Sequence, residues 1–148
     1  MQIWIDGDAC PKAVKEILYR AAKRTQTPLV IVANHFVQTP PSPLIQCLVV
    51  DKGFDIADQH IIDQVQPHDL VITADIPLAD AIISKQAHAL NPRGKLYTPQ
   101  NIKHLLMSRN INETLRENGM ISGGGIGKLN NKDIQQFSNH LDRILAKQ

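Results

Sequence analysis

Short apolar runs with charged or turn residues at their ends alternate with helix-patterned segments along most of this chain, and that alternation leaves few folds open. Ile3-Trp4-Ile5, Leu29 to Ala33 and Leu70 to Thr73 are apolar on both faces, as strands of a parallel sheet covered on both sides must be. Strand one is Ile3 to Asp6. Pro11 opens a helix in which Val14, Ile17, Leu18, Ala21 and Ala22 recur at helical spacing, with Lys12, Lys15, Glu16, Lys23 and Arg24 opposite. Leu29 to Ala33 is the second strand, and Asn34 to Pro43, with three prolines, a loop. A third strand runs Cys47 to Val50, closed by Lys52-Gly53.

A second helix covers Asp55 to Gln64, with Ile61, Ile62 and Val65 inward. Leu70 to Thr73 is the fourth strand and Pro77 to Gln86 a third helix. Ala87 to Leu90 is a fifth strand before the turn Asn91-Pro92-Arg93-Gly94. Ile102, Leu105 and Leu106 mark another helix, and Gly119 stops a helical turn from Asn112. Gly123-Gly124-Gly125-Ile126-Gly127 reads as a flexible connector. From about Asn131 a last helix lines up Ile134, Phe137, Leu141, Ile144 and Leu145. Alternating strands and helices predict a three-layer α/β/α domain over residues 1–148, with a mostly parallel sheet of about five strands and a helical C-terminal extension.

The ends of the strands carry the chemistry. Ile5 delivers Asp6-Gly7-Asp8, and Thr73-Ala74 delivers Asp75. Open α/β sheets bind ligands outside the carboxyl ends of their strands, so these aspartates are expected to converge there. Crowded carboxylates repel unless a hard cation sits between them, which points to Mg²⁺ or Mn²⁺. Each acid also has a local reading. Asp8 can cap the helix after Pro11, Asp55 and Asp58 suit the start of the second helix, and Thr73 or Asp75 can cap the third. Asp6 has no such local job. Asp80 faces either the same crevice or solvent.

Nothing else in the chain competes as a centre. The six histidines show no paired spacing, and Cys10 and Cys47 form no C-x-x-C. Cys10 reads as a small packed side chain rather than a nucleophile. No apolar stretch approaches the roughly 20 residues of a membrane span, and acids stand where a signal peptide would be apolar, so the expected location is the cytoplasm. Net charge is −4 over residues 1–80 and +6 over 81–148. That asymmetry suggests a cation-holding half followed by a phosphate-holding half, with Arg93, Lys95, Lys128 and Lys132 nearest to flexible turns.

The chain resembles the YaiI/YqxD family of uncharacterised bacterial proteins, related to the PIN-like nuclease fold. The resemblance rests on Ile3-Trp4-Ile5-Asp6-Gly7-Asp8-Ala9-Cys10-Pro11, Gly53-Phe54-Asp55-Ile56-Ala57-Asp58, Leu70 to Ala79, Ala89 to Gly94, and Leu115-Arg116 with Gly119. It implies a Mg²⁺ or Mn²⁺ site at Asp6, Asp8, Asp58 and Asp75. Gly7 stands where the pattern has alanine, Gly125 where proline follows two glycines, and Asp80 where alanine is usual. The leading expectation is a metal-dependent nuclease acting on RNA, its backbone held by the basic residues named above. One alternative is a haloacid-dehalogenase-like phosphatase with Asp6 as nucleophile, Asp8 as general acid and Asp75 on magnesium. Another is a nucleic-acid- or protein-binding module without turnover.

Overall fold

A computed structural model describes residues 1–8, 10–53, 55–117 and 129–148. Among them six strands form one sheet: β1 (Ile3–Asp6), β2 (Leu29–Ala33), β3 (Ile45–Val49), β4 (Leu70–Ile72), β5 (His88–Leu90) and β6 (Leu96–Tyr97). Their order is β3-β2-β1-β4-β5-β6, parallel except for β6, which pairs antiparallel with β5. The helices are α1 (Lys12–Thr25), α2 (Ile56–Gln64), α3 (Ile76–Ser84), α4 (Pro99–Glu117) and α5 (Asn131–Ala146).

Alternation along β1 explains the three layers. Ile3 and Ile5 point to one face, where Val14, Leu18 and Ala22 of α1 pack with Phe137, Leu141 and Leu145 of α5. Trp4 points to the other, with Ile61 of α2, Leu78 and Ile82 of α3 and Ile102 of α4. The C-terminal helix therefore completes the layer that α1 begins. Asn130 and Asp133 close a reciprocal capping box at its start.

Several elements differ from the sequence reading, each for a tertiary reason. β3 begins at Ile45 rather than Cys47, because β2 offers it a parallel partner from Leu29↔Ile45 onward. Its exposed Gln46 and Leu48 mark an edge strand. β6 is a sixth strand of two residues, too short for any periodicity, formed by the Asn91–Gly94 turn folding Leu96 back on Leu90. The two helical pieces expected around Leu105 and Asn112 are one helix, α4. Gly119, Lys128 and the 123–127 glycine loop lie outside the described residues.

Candidate functional site

β1 sits between β2 and β4: from β1 the chain builds outward through β2 to β3 on one side, then crosses back by α2 to lay β4 on the other side of β1. Such a switch point opens a crevice at the carboxyl ends of the strands. Asp6, the last residue of β1, lies there only 8% exposed. The Thr73 hydroxyl, just past β4, donates to Asp6 Oδ2 at 3.3 Å. Burial raises the pKa of Asp6, the Thr73 hydrogen bond opposes that, and the charges of Asp8 and Asp75 add to the rise.

The cleft beyond Asp6 has a volume of about 190 Å³ and is walled by Asp8, Asn34, Asp51, Gly53, Asp55, Ala57, Asp58 and Asp75. Asp6 included, that gathers six aspartates, with no Lys or Arg among the described lining residues. A second hollow of about 200 Å³ shares Asp55, Asp58 and Asp75 and continues over Gln59, Ile62, Pro77 and Leu78.

The local readings fare differently at each acid. Asp8 caps no helix: α1 has Pro11 at its N-cap without a side-chain bond, and both Asp8 oxygens instead accept from the Asn34 N–H at 3.3 Å. His35 Nδ1 lies 3.2 Å from Asp8 Oδ1. Asp75 is the N-cap of α3, with Oδ1 accepting from Leu78 N–H at 2.9 Å, yet it also lines both hollows. Its own N–H donates to Thr73 Oγ1 at 3.0 Å. Asp55 precedes α2 in the left-handed region at φ 62° and makes no capping bond, so it too faces the cleft.

Asp58, in the first turn of α2, shows how crowded the cluster is. Burial first, then the charges of Asp6, Asp75 and Asp55, together with a hydrogen bond to Asp75, push its pKa up to about 7. Excess negative charge held by oxygen donors suits a hard divalent cation such as Mg²⁺ or Mn²⁺. Among the described residues no three of these groups form a ready-made coordination shell. The donor chemistry fits such an ion, and water would complete the shell, as Mg²⁺ usually requires.

Asp51 and Asn34 escaped the sequence reading, although each follows a strand by the same rule that picked out Asp6. Asp80 lines neither hollow. Cys10 is 9% exposed and its thiol is pushed up to about 12 by burial, as befits a packed side chain. Gly7 is close-fitted: a Cβ there would meet Ile31 Cγ2 at 2.5 Å, so the alanine of the family pattern requires Ile31 to shift.

The basic residues are less concentrated. Arg93 and Lys95 follow β5 at the cleft's edge of the sheet, with Lys95 exposed and Arg93 Nη1 bonded to Asp133 at 3.0 Å. Lys132 is exposed in the first turn of α5.

Residues 4–147 match the family described as "Uncharacterized BCR, YaiI/YqxD family". The chain belongs to this family. The YaiI/YqxD match spans the whole cleft, from Asp6 to Asp75. Among similar proteins, a UPF0178 protein of Hahella chejuensis is 54% identical, covering 99% of this chain and 97% of its own length. Others from Shewanella amazonensis and Thioalkalivibrio sulfidiphilus are also 54% identical, covering 99% of this chain and 98% and 99% of their own lengths. No solved structure matches the chain. The YaiI/YqxD description names no reaction, so the chemistry has to come from the cleft.

Proposed function

We propose that the aspartate cleft is the active site of a PIN-like, Mg²⁺- or Mn²⁺-dependent nuclease that hydrolyses phosphodiester bonds, RNA being the expected substrate. One observation carries the reading: six aspartates meet at the switch point, with no Lys or Arg among the described residues lining it. Asp6, Asp58 and Asp75 would hold the ion, with Asp8 at the rim. A divalent ion bound there supplies Lewis acidity toward phosphoryl oxygen and acidifies water.

The chain's own groups do the rest. Thr73 fixes the Asp6 carboxylate, and the α3 N-terminus fixes one oxygen of Asp75. Asp8, anchored by Asn34, orients the attacking water and takes up its proton. Water adds to phosphorus, the bond to one ester oxygen breaks, and that oxygen takes a proton from solvent while Asp8 returns its own to solvent, giving a phosphomonoester and an alcohol. Arg93, Lys95, Lys128 and Lys132 are candidates for holding the backbone, Arg93 through the guanidinium nitrogens that Asp133 does not take.

The phosphatase alternative is less well served. Asp6 is a poorly exposed nucleophile, and no lysine is among the described residues lining the cleft. No helix among the described residues is long and apolar enough to cross a membrane.

The test is cleavage of single-stranded and structured RNA, then DNA, with Mn²⁺ against chelator. Cleavage should need the metal and fall at least tenfold in Asp6→Asn and Asp75→Asn, with melting temperatures compared. Cleavage that persists in chelator, binding without turnover, or an aspartyl-phosphate trapped on Asp6 would overturn it.

A further inference from the structure

The acidic cleft has a basic neighbour that the sequence reading passed over. Lys12, Lys15, Tyr19 and Lys23 recur along one stripe of α1, and Arg20 lies beside it. Between this stripe and the proline loop runs a groove of about 520 Å³, with Lys12, Lys15 and Tyr19 on one side and Gln38 to Pro41 on the other. It continues into a hollow of about 270 Å³ that shares Tyr19 and Pro40 and adds Arg20 and Lys23. Among the described residues Glu16 is the single carboxylate lining either one. Among the described residues, Lys12, Lys15, Arg20 and Lys23 have no ion-pair partner, whereas Arg24, facing α5, is paired with Asp142.

One loop links cleft and groove. Asn34 lines the cleft, His35 reaches Asp8, and Val37 already lines the groove. Phe36 stands between them, 74% exposed. An aromatic ring so exposed, carried between a cleft residue and a groove residue, leaves its flat face to solvent. The Tyr19 hydroxyl, on the groove side of α1, is a buried polar atom with no hydrogen-bond partner. Burial pushes its pKa up to about 12, so it keeps its proton.

We propose that this groove, with Phe36 at its mouth, is the docking track for single-stranded nucleic acid entering or leaving the aspartate cleft. Phe36 stacks on one unpaired base, and Lys12 and Lys15 hold successive phosphates, with Lys23 further along. Stacking on an exposed ring beside a basic groove suits any unpaired base, whereas bases in a duplex are already stacked on one another. The direction of the strand rests on the nuclease reading. The binding surface does not, and can be tested without turnover.

Fluorescence anisotropy in chelator, with a labelled oligouridylate, its oligothymidylate counterpart and a duplex of the same length, separates the two. Phe36→Ala should weaken single-strand binding about five- to hundredfold. Lys12→Ala with Lys15→Ala should flatten the log–log salt slope by about 1.4, at about 0.7 per lost contact. Lys12→Arg with Lys15→Arg should keep the slope, and melting temperatures should stay at the wild-type value because these side chains are exposed or partly so. Equal binding of the two oligonucleotides, or preference for RNA, supports the track. Preference for duplex, no wild-type binding, or variants that bind like wild type would overturn it. Groove-dependent binding without cleavage would count against the nuclease reading alone, and Mn²⁺-dependent cleavage with indifferent groove variants against the groove alone.

Discussion

Arg93 Nη1 and Asp133 Oδ2 stand 3.0 Å apart and tie the turn after β5 to the first turn of α5. Both side chains are partly buried, and Asp133 also closes the α5 capping box, so the pair links two local structures far apart in sequence. By sequence alone that turn presents a phosphate clamp; the fold gives its guanidinium a partner within the chain.

Arg93→Gln should therefore lower stability by about 1 kcal/mol, or about 2–4 °C in Tm. A melting curve checks this. Unchanged Tm together with weakened oligonucleotide binding would mean that Arg93 serves substrate rather than the α5 contact.

Gly94→Ala should be more damaging. Gly94 has φ +94°, and a Cβ there would come within 2.6 Å of the Phe137 backbone nitrogen. Backbone strain and a clash with a helix that cannot move aside predict a loss of about 2–4 kcal/mol in urea denaturation.

The pH dependence of the metal-free protein follows from Asp58. Its folded pKa of about 7 lies above the unfolded 3.8, so the folded state holds the proton more tightly. Near pH 4 and below no penalty applies, and stability is lost as pH rises from about 4 through 7. Asp58 is partly exposed, so solvent screening limits the loss to on the order of 1 kcal/mol. Asp58→Asn should flatten the profile and raise Tm at pH 8, and Mn²⁺ should do the same for wild type. A Tm that rises between pH 5 and pH 8 in the metal-free wild type would contradict the assignment.

Thr73→Val removes the hydroxyl that donates to Asp6 and accepts from Asp75 N–H. About 1–2 kcal/mol of stability should go with it. The Asp6 pKa should climb further, because this bond is the larger of the two that lower it, and titration calorimetry should show weaker Mn²⁺ binding at neutral pH.

Much of this fold is legible residue by residue. Ile3-Trp4-Ile5 and Leu70-Val71-Ile72 are strands because apolar residues on both faces need cover on both sides, and α1 and α5 are helices because their apolar side chains recur at helical spacing. Asp6 and Asp75 are likewise visible as acids closing or following those runs. Asp69 shows the limit of that rule. It too borders β4, but at the amino end, where it is 6% exposed and accepts from Gln2 N–H, Trp4 Nε1 and Gln66 N–H. It has a structural task and lies away from the cleft.

Local pattern specified strands, helices and the chemistry at their ends, because periodicity and capping depend on neighbours a few residues away. Only the tertiary structure decided that β1 lies between β2 and β4, that Asp51, Asp55 and Asn34 join Asp6, and that Arg93 meets Asp133. Those relations depend on strand order and on the direction of each crossover, which join residues far apart in the chain and leave no periodic trace in it.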